Sequence, residues 1–173
     1  MQLQKMARVI TCAAVMVVLG TSGWARAQSA ADTVLKPAEL QKLFPATVYY
    51  DGQSAPVQLR NSAGVKFADG HYMLASLVDT SGYSSGVAAK YQGYLIAEVP
   101  LKIGGKLLHA GAYGFGFLDG GRFLVTDVGG RDVLTVQSAT DTAMNRPRPL
   151  QVTADVAGGF RLYAGRSYVH FSR

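Results

Sequence analysis

From Thr47 to the C-terminus the chain keeps one rhythm: short apolar runs separated by pairs and triplets of Gly, Asp, Asn and Ser. Such spacing leaves little room for helices and predicts strands joined by tight turns. Connections this short join antiparallel neighbours, because parallel pairs need crossovers of about a dozen residues or more. The expected fold is therefore all-β: a single antiparallel β-sandwich or small β-barrel of about ten short strands. One short N-terminal helix should precede it, over Pro37–Phe44, where Leu40, Leu43 and Phe44 make an apolar stripe, Pro37 suits the first turn and Pro45 ends it.

Residue by residue, Thr47–Tyr50 runs into Asp51-Gly52, a favoured hairpin pair. Pro56–Arg60 is a strand, Asn61–Gly64 a break, Val65 and Phe67 the next strand, and Asp69-Gly70 a turn. Tyr72–Val78 is apolar on both faces, as befits an interior strand. A Gly/Ser loop follows over 79–90, with one helical turn at Val87–Lys90, and Tyr91–Leu101 reads as one long strand. Tyr113, Phe115 and Phe117 alternate with Gly114, Gly116 and Leu118, so one face is aromatic and the other nearly bare. A bare glycine face invites close approach, and aromatics from a facing sheet would fill it. Residues 138–149 form the longest irregular loop, before strands at Leu150–Ala154, Phe160–Ala164 and Ser167–Phe171.

The start of the chain speaks to location. Lys5 and Arg8, the apolar run Val9–Gly20 and the small residues of Ala25-Arg26-Ala27 follow the order of a secretory signal peptide cleaved after residue 27. The expected product is exported, periplasmic or secreted, with a flexible segment over 28–36 and one all-β domain over 37–173. The leader holds three of the 17 basic residues and none of the 11 acidic ones, which leaves 14 against 11, a charge of +3. Those basic residues look scattered along the sequence, so no nucleic-acid partner is expected. Cys12 and Trp24 leave with the leader, which removes disulfides, thiolate chemistry and tryptophan sugar platforms. No transmembrane segment is expected in the mature chain, whose strands are also short against the roughly 9 to 11 residues of membrane-spanning strands.

Three candidate sites emerge. Gly82-Tyr83-Ser84-Ser85-Gly86 fits the G-x-S-x-G of a nucleophile elbow, and Ser84 with His170, oriented by Asp119, Asp127 or Asp132, supplies the usual order of a serine hydrolase. The rest of the chain lacks the alternating strands and helices of that fold, so this remains the alternative reading. Tyr83, Tyr91 and Tyr94 flank the Gly/Ser loop and suit ligand recognition, each offering area and a hydroxyl. Arg146 and Arg148, held extended by Pro147 and Pro149, suit an acidic partner. Arg161 and Tyr163 read as an ordinary exposed polar face. His71, His109 and His170 are not at ligand spacing, so no metal site and no cofactor are expected.

Val99-Pro100-Leu101-Lys102-Ile103-Gly104-Gly105-Lys106-Leu107-Leu108-His109-Ala110-Gly111-Ala112-Tyr113 resembles a phrase of small, uncharacterised exported bacterial all-β domains, in which a strand, a glycine turn and a second strand lie side by side. His109 stands where that phrase carries proline. The resemblance implies an exported bacterial β protein and assigns no catalytic residue. The expected function is non-enzymatic binding of a small molecule, envelope component or protein; a structural envelope or assembly subunit is a further alternative.

Overall fold

The computed structural model describes residues 31–173. The signal peptide expected over 1–27, with Cys12 and Trp24, lies outside them. Fourteen strands and two short helices follow one another: β1 (Thr33–Val34), α1 (Pro37–Leu43), β2 (Thr47–Tyr50), β3 (Gln53–Lys66), β4 (Tyr72–Val78), α2 (Ser85–Lys90), β5 (Gly93–Ala97), β6 (Leu101–Ile103), β7 (Lys106–Leu108), β8 (Gly111–Leu118), β9 (Arg122–Thr126), β10 (Asp132–Gln137), β11 (Ala139–Thr140), β12 (Arg148–Ala154), β13 (Phe160–Gly165) and β14 (Ser167–Ser172). An eight-stranded sheet has the order β1-β3-β4-β5-β8-β9-β10, with β2 on β3; a six-stranded sheet has the order β12-β13-β14-β6-β7, with β11 on β14. Every pairing is antiparallel. The fold is a sandwich-like all-β architecture.

One core fills the space between the sheets. Met73, Leu95, Phe115 and Phe123 from the large sheet meet Leu101, Leu162, Val169 and Phe171 from the small one. Strand alternation puts every second residue into this layer. The interior is packed with the chain's own aromatic and aliphatic side chains, as protein interiors are. At one seam between the sheets Lys106 Nζ donates to Thr135 O at 3.1 Å.

Several turns follow the sequence closely. Asp51 and Gly52 take φ values of 46° and 84°, the pair of positive angles a two-residue hairpin turn demands. Four expectations are corrected. The segment over 28–36 is structured where it is described: β1 pairs with β3, and Asp32 Oδ1 accepts from Ala68 N at 2.8 Å. The break at Asn61–Gly64 lies inside β3, where a register shift between Val57 and Ser62 absorbs the irregularity. Tyr91–Leu101 is two strands in different sheets, β5 and β6, divided at Glu98-Val99-Pro100. The loop over 138–149 contributes β11, which pairs with β14.

Candidate functional site

The two outer faces of the sandwich carry most of the chain's tyrosines and treat them differently. On the large sheet, Gly114 has no side chain, and a Cβ there would meet Tyr50 Cε2 at 2.5 Å, Thr126 Oγ1 at 2.7 Å and Tyr91 Cδ2 at 3.0 Å. The bare face of β8 is thus filled by aromatics, as expected, although they come from the β2 hairpin and the end of α2 rather than from the facing sheet. Tyr50 and Tyr91 stack with centroids 3.7 Å apart, and Tyr83 meets both rings edge-on. Tyr50 Oη and Thr126 Oγ1 share a hydrogen bond of 2.8 Å, and Tyr83 Oη donates to Tyr50 O at 3.0 Å. Burial pushes the phenol pKa of Tyr50, Tyr83, Tyr91 and Tyr94 upward.

Tyr91 is wholly buried and Tyr94 nearly so, which corrects the picture of tyrosines displayed on a polar loop. Only Tyr83 of the three stays partly open. Helix α1 covers the part of this face over β3 and β4, where Leu40 and the C-cap Phe44 pack with Leu35 and Leu74.

Ser84 caps α2: its Oγ accepts from Val87 N at 3.4 Å. This is the local reason for the Gly-x-Ser-x-Gly spelling, since serine is a favoured helix cap. His170 faces outward from β14 in the other sheet, with Nε2 2.8 Å from Gly158 O. A carbonyl only accepts, so Nε2 carries the proton there. Ser84 and His170 therefore occupy opposite outer faces of the sandwich and are not brought together. Asp127 is taken by Arg131 at 2.8 Å and Asp132 by Lys90 at 3.3 Å. Among the described residues no three His, Cys, Asp or Glu side chains gather to hold a metal ion. His71 pairs with Asp69 at 3.1 Å, and His109 is exposed.

The outer face of the small sheet is built otherwise. The β12–β13 turn, Asp155 to Gly159, closes through bonds from Asp155 N to Gly159 O and from Gly158 N to Asp155 O. That turn delivers the Asp155 carboxylate to Arg161, which grips it from Nε at 2.7 Å and Nη2 at 3.1 Å. The same guanidinium lies 4.8 Å from the centroid of the Tyr168 ring, and Tyr163 lies 5.0 Å from Tyr168. Tyr163 Oη donates to Asp141 Oδ2 at 3.2 Å, beneath the loop after β11. Hydrogen bonds from Arg161 first, then from Ala157 N, hold the Asp155 carboxyl below the usual carboxylate range. Register places Arg161 opposite His170 and Tyr163 opposite Tyr168. Tyr163 is buried and Arg161 is fixed by two partners, which corrects the reading of both as an ordinary exposed polar face.

Charge sorts between the sheets as well. Residues 101–110 and 138–173, which carry the small sheet, hold seven Lys and Arg against two Asp, a balance of +5. The other described residues hold seven against nine, a balance of −2. Basic residues that look scattered in sequence are thus concentrated by the fold, an arrangement missed by sequence reasoning. Its one linear trace is that only two of the 11 acidic residues follow Asp132.

Among the described residues no helix is long and apolar enough to cross a membrane. No protein-family model matches the chain, and no curated protein or solved structure matches it either.

Proposed function

We propose that the chain is an exported, non-enzymatic binding domain whose recognition surface is the outer face of the six-stranded sheet. One observation carries this reading: on that face an arginine immobilised between a carboxylate and a ring lies beside half-buried Tyr168 and His170 on paired strands. Tyrosine and arginine dominate binding energetics at interfaces when they are held in place beforehand. The filled core argues against a lipid carried inside, and the sealed tyrosine cluster against a ligand seated on the large sheet. Within this reading, the resemblance of the 99–113 stretch supports an exported bacterial origin. Nothing in the positions of Ser84 and His170 favours the hydrolase alternative.

A photocrosslinking residue placed at Tyr168 in producing cells tests the surface, with Leu43, exposed on α1 in the large-sheet half, as control. Discrete adducts from position 168 and none from 43 are expected. Adducts from 43 alone would overturn the assignment, as would a small molecule retained in native mass spectrometry by a protein that crosslinks at neither position.

A further inference from the structure

We propose that the basic end of this surface docks a partner protein through an Asp/Glu-rich segment, an inference that rests on the small-sheet face being the binding surface. The backbone brings three arginines to this end, with Arg148 at the crevice where β12 meets β1 and α1. Arg148 begins β12 and pairs in register with Gly165, which opens the β13–β14 turn. Arg166 follows within that turn and donates from Nε to Met144 O at 3.2 Å. Arg146 lies two residues before Arg148, and both precede prolines, which favour extended backbone at the preceding residue. All three side chains are exposed, and none makes an ion pair among the described residues.

The two carboxylates of this half of the molecule are already engaged. Asp155 is gripped by Arg161. Asp141 accepts from Tyr163 Oη at 3.2 Å and from Ala143 N at 3.1 Å. The arginines therefore have no internal counter-charge to compete with an incoming one. Guanidinium forks match carboxylates in a bidentate geometry, and five of the seven cations in this half are arginine rather than lysine. The large-sheet half, at −2, would repel the same partner and so orient it.

An anionic bilayer offers the same sign of charge but fits less well. Stable membrane attachment needs apolar insertion beside the charges. Of the six exposed large apolar side chains among the described residues, Leu43, Tyr49, Val128 and Val133 belong to the large-sheet half; in the small-sheet half Leu107 lies on β7 and Val156 at the β12–β13 turn, the opposite end of the β12–β13 hairpin from the β13–β14 turn. Neither stands beside the arginines.

The probe is labelled poly-L-glutamate, titrated with the purified protein by fluorescence anisotropy at low and at physiological salt. The parent should bind it, more weakly at higher salt as screening sets in. The R146S/R148S/R166S variant should lose about tenfold in affinity or more, roughly the 1.4 kcal/mol of one such step. The K42S/R60S/K66S variant, which removes the same charge from the large-sheet half, should change by less than about twofold. Equal losses in both variants would reduce the effect to net charge and overturn the site. A parent that ignores poly-L-glutamate but sediments with phosphatidylglycerol vesicles would overturn the partner class. Crosslinks from position 168 in either case would show that the surface stands and the acidic segment is wrong; their absence would remove the surface itself. Circular dichroism of each variant confirms that it folds.

Discussion

The sandwich has two outer faces, both decorated with tyrosine, and the chain packs a cover over the tyrosines of only one of them. On the large sheet, Tyr50, Tyr83, Tyr91 and Tyr94 form one cluster with the β2 hairpin and the loop leading into α2, Tyr50 and Tyr91 filling the space left by Gly114. On the small sheet, Tyr163 and Tyr168 sit beside Arg161 and His170, bordered by two turns that supply polar partners rather than a lid. A tyrosine cluster is thus read by what lies above it. Where the chain supplies apolar cover, the rings serve stability; where it supplies fixed charges and leaves Tyr168 half open over the buried Tyr163, that outer ring is available to another molecule.

The largest test of that contrast is truncation. Tyr91→Ala should destabilise the fold by about 3 to 5 kcal/mol, as loss of a buried aromatic does, whereas Tyr168→Ala should cost under about 1 kcal/mol. Urea unfolding of both variants measures this, and equal losses would break the comparison. Next comes Gly114→Ala, whose Cβ would lie 2.5 Å from Tyr50 and 2.7 Å from Thr126. Overpacking of that kind should cost about 1 to 3 kcal/mol, with Tyr50 displaced from its stack on Tyr91; an unchanged unfolding midpoint would show that the cluster is loose.

Removing single hydroxyls sharpens the contrast further. Tyr91 Oη is buried and has no hydrogen-bond partner among the described residues. Tyr91→Phe should therefore leave stability unchanged or raise it by about 1 kcal/mol, while Tyr163→Phe, which removes one of the two hydrogen bonds to the Asp141 carboxylate, should lower it by about 1 kcal/mol. Opposite signs in the same denaturation assay are expected. A destabilising Tyr91→Phe would mean that the hydroxyl has a partner after all.

These contrasts were only partly legible in the residues. The turns were, because Asp51-Gly52 and Gly104-Gly105 occupy positive φ values that few other pairs adopt without strain. Tyr72–Val78 was, because both of its faces are buried. Gly64 misled, because glycine inside a strand looks like a break. Its purpose is proximity, since a Cβ there would lie 3.0 Å from Leu74 and 3.1 Å from Leu40. The loop tyrosines misled for a related reason: no local pattern reveals that Gly114, some twenty residues on, leaves a hole for Tyr91. The grip of Arg161 on Asp155 spans a turn and was within reach, since the i, i+6 spacing brackets Gly158-Gly159. The concentration of charge on one sheet depends on which strands pair, which sequence spacing does not state.

The finest test concerns pH and isolates the small-sheet face. Asp155 has its carboxyl pKa lowered first by Arg161 and then by the Ala157 amide. A group whose folded pKa is lowered contributes stability that is present above its unfolded value and is lost as pH falls through the folded one. The thermal midpoint of the parent should therefore exceed that of Asp155→Asn at neutral pH, and the gap should narrow as pH drops below about 4, the ordinary carboxylate value. Asp69, Asp79 and Asp127 are also lowered, Asp69 to about 2 through Arg173. Both proteins share those three groups, so their effects cancel in the difference. A gap that stayed constant from neutral to acid pH would mean that Asp155 acts through the shape of its turn rather than through its charge. Arg161 would then not be held electrostatically, and the preorganised half of the comparison would lose its basis. A narrowing gap would tie the fixed position of Arg161, and with it the readiness of this face to bind, to an ionised Asp155.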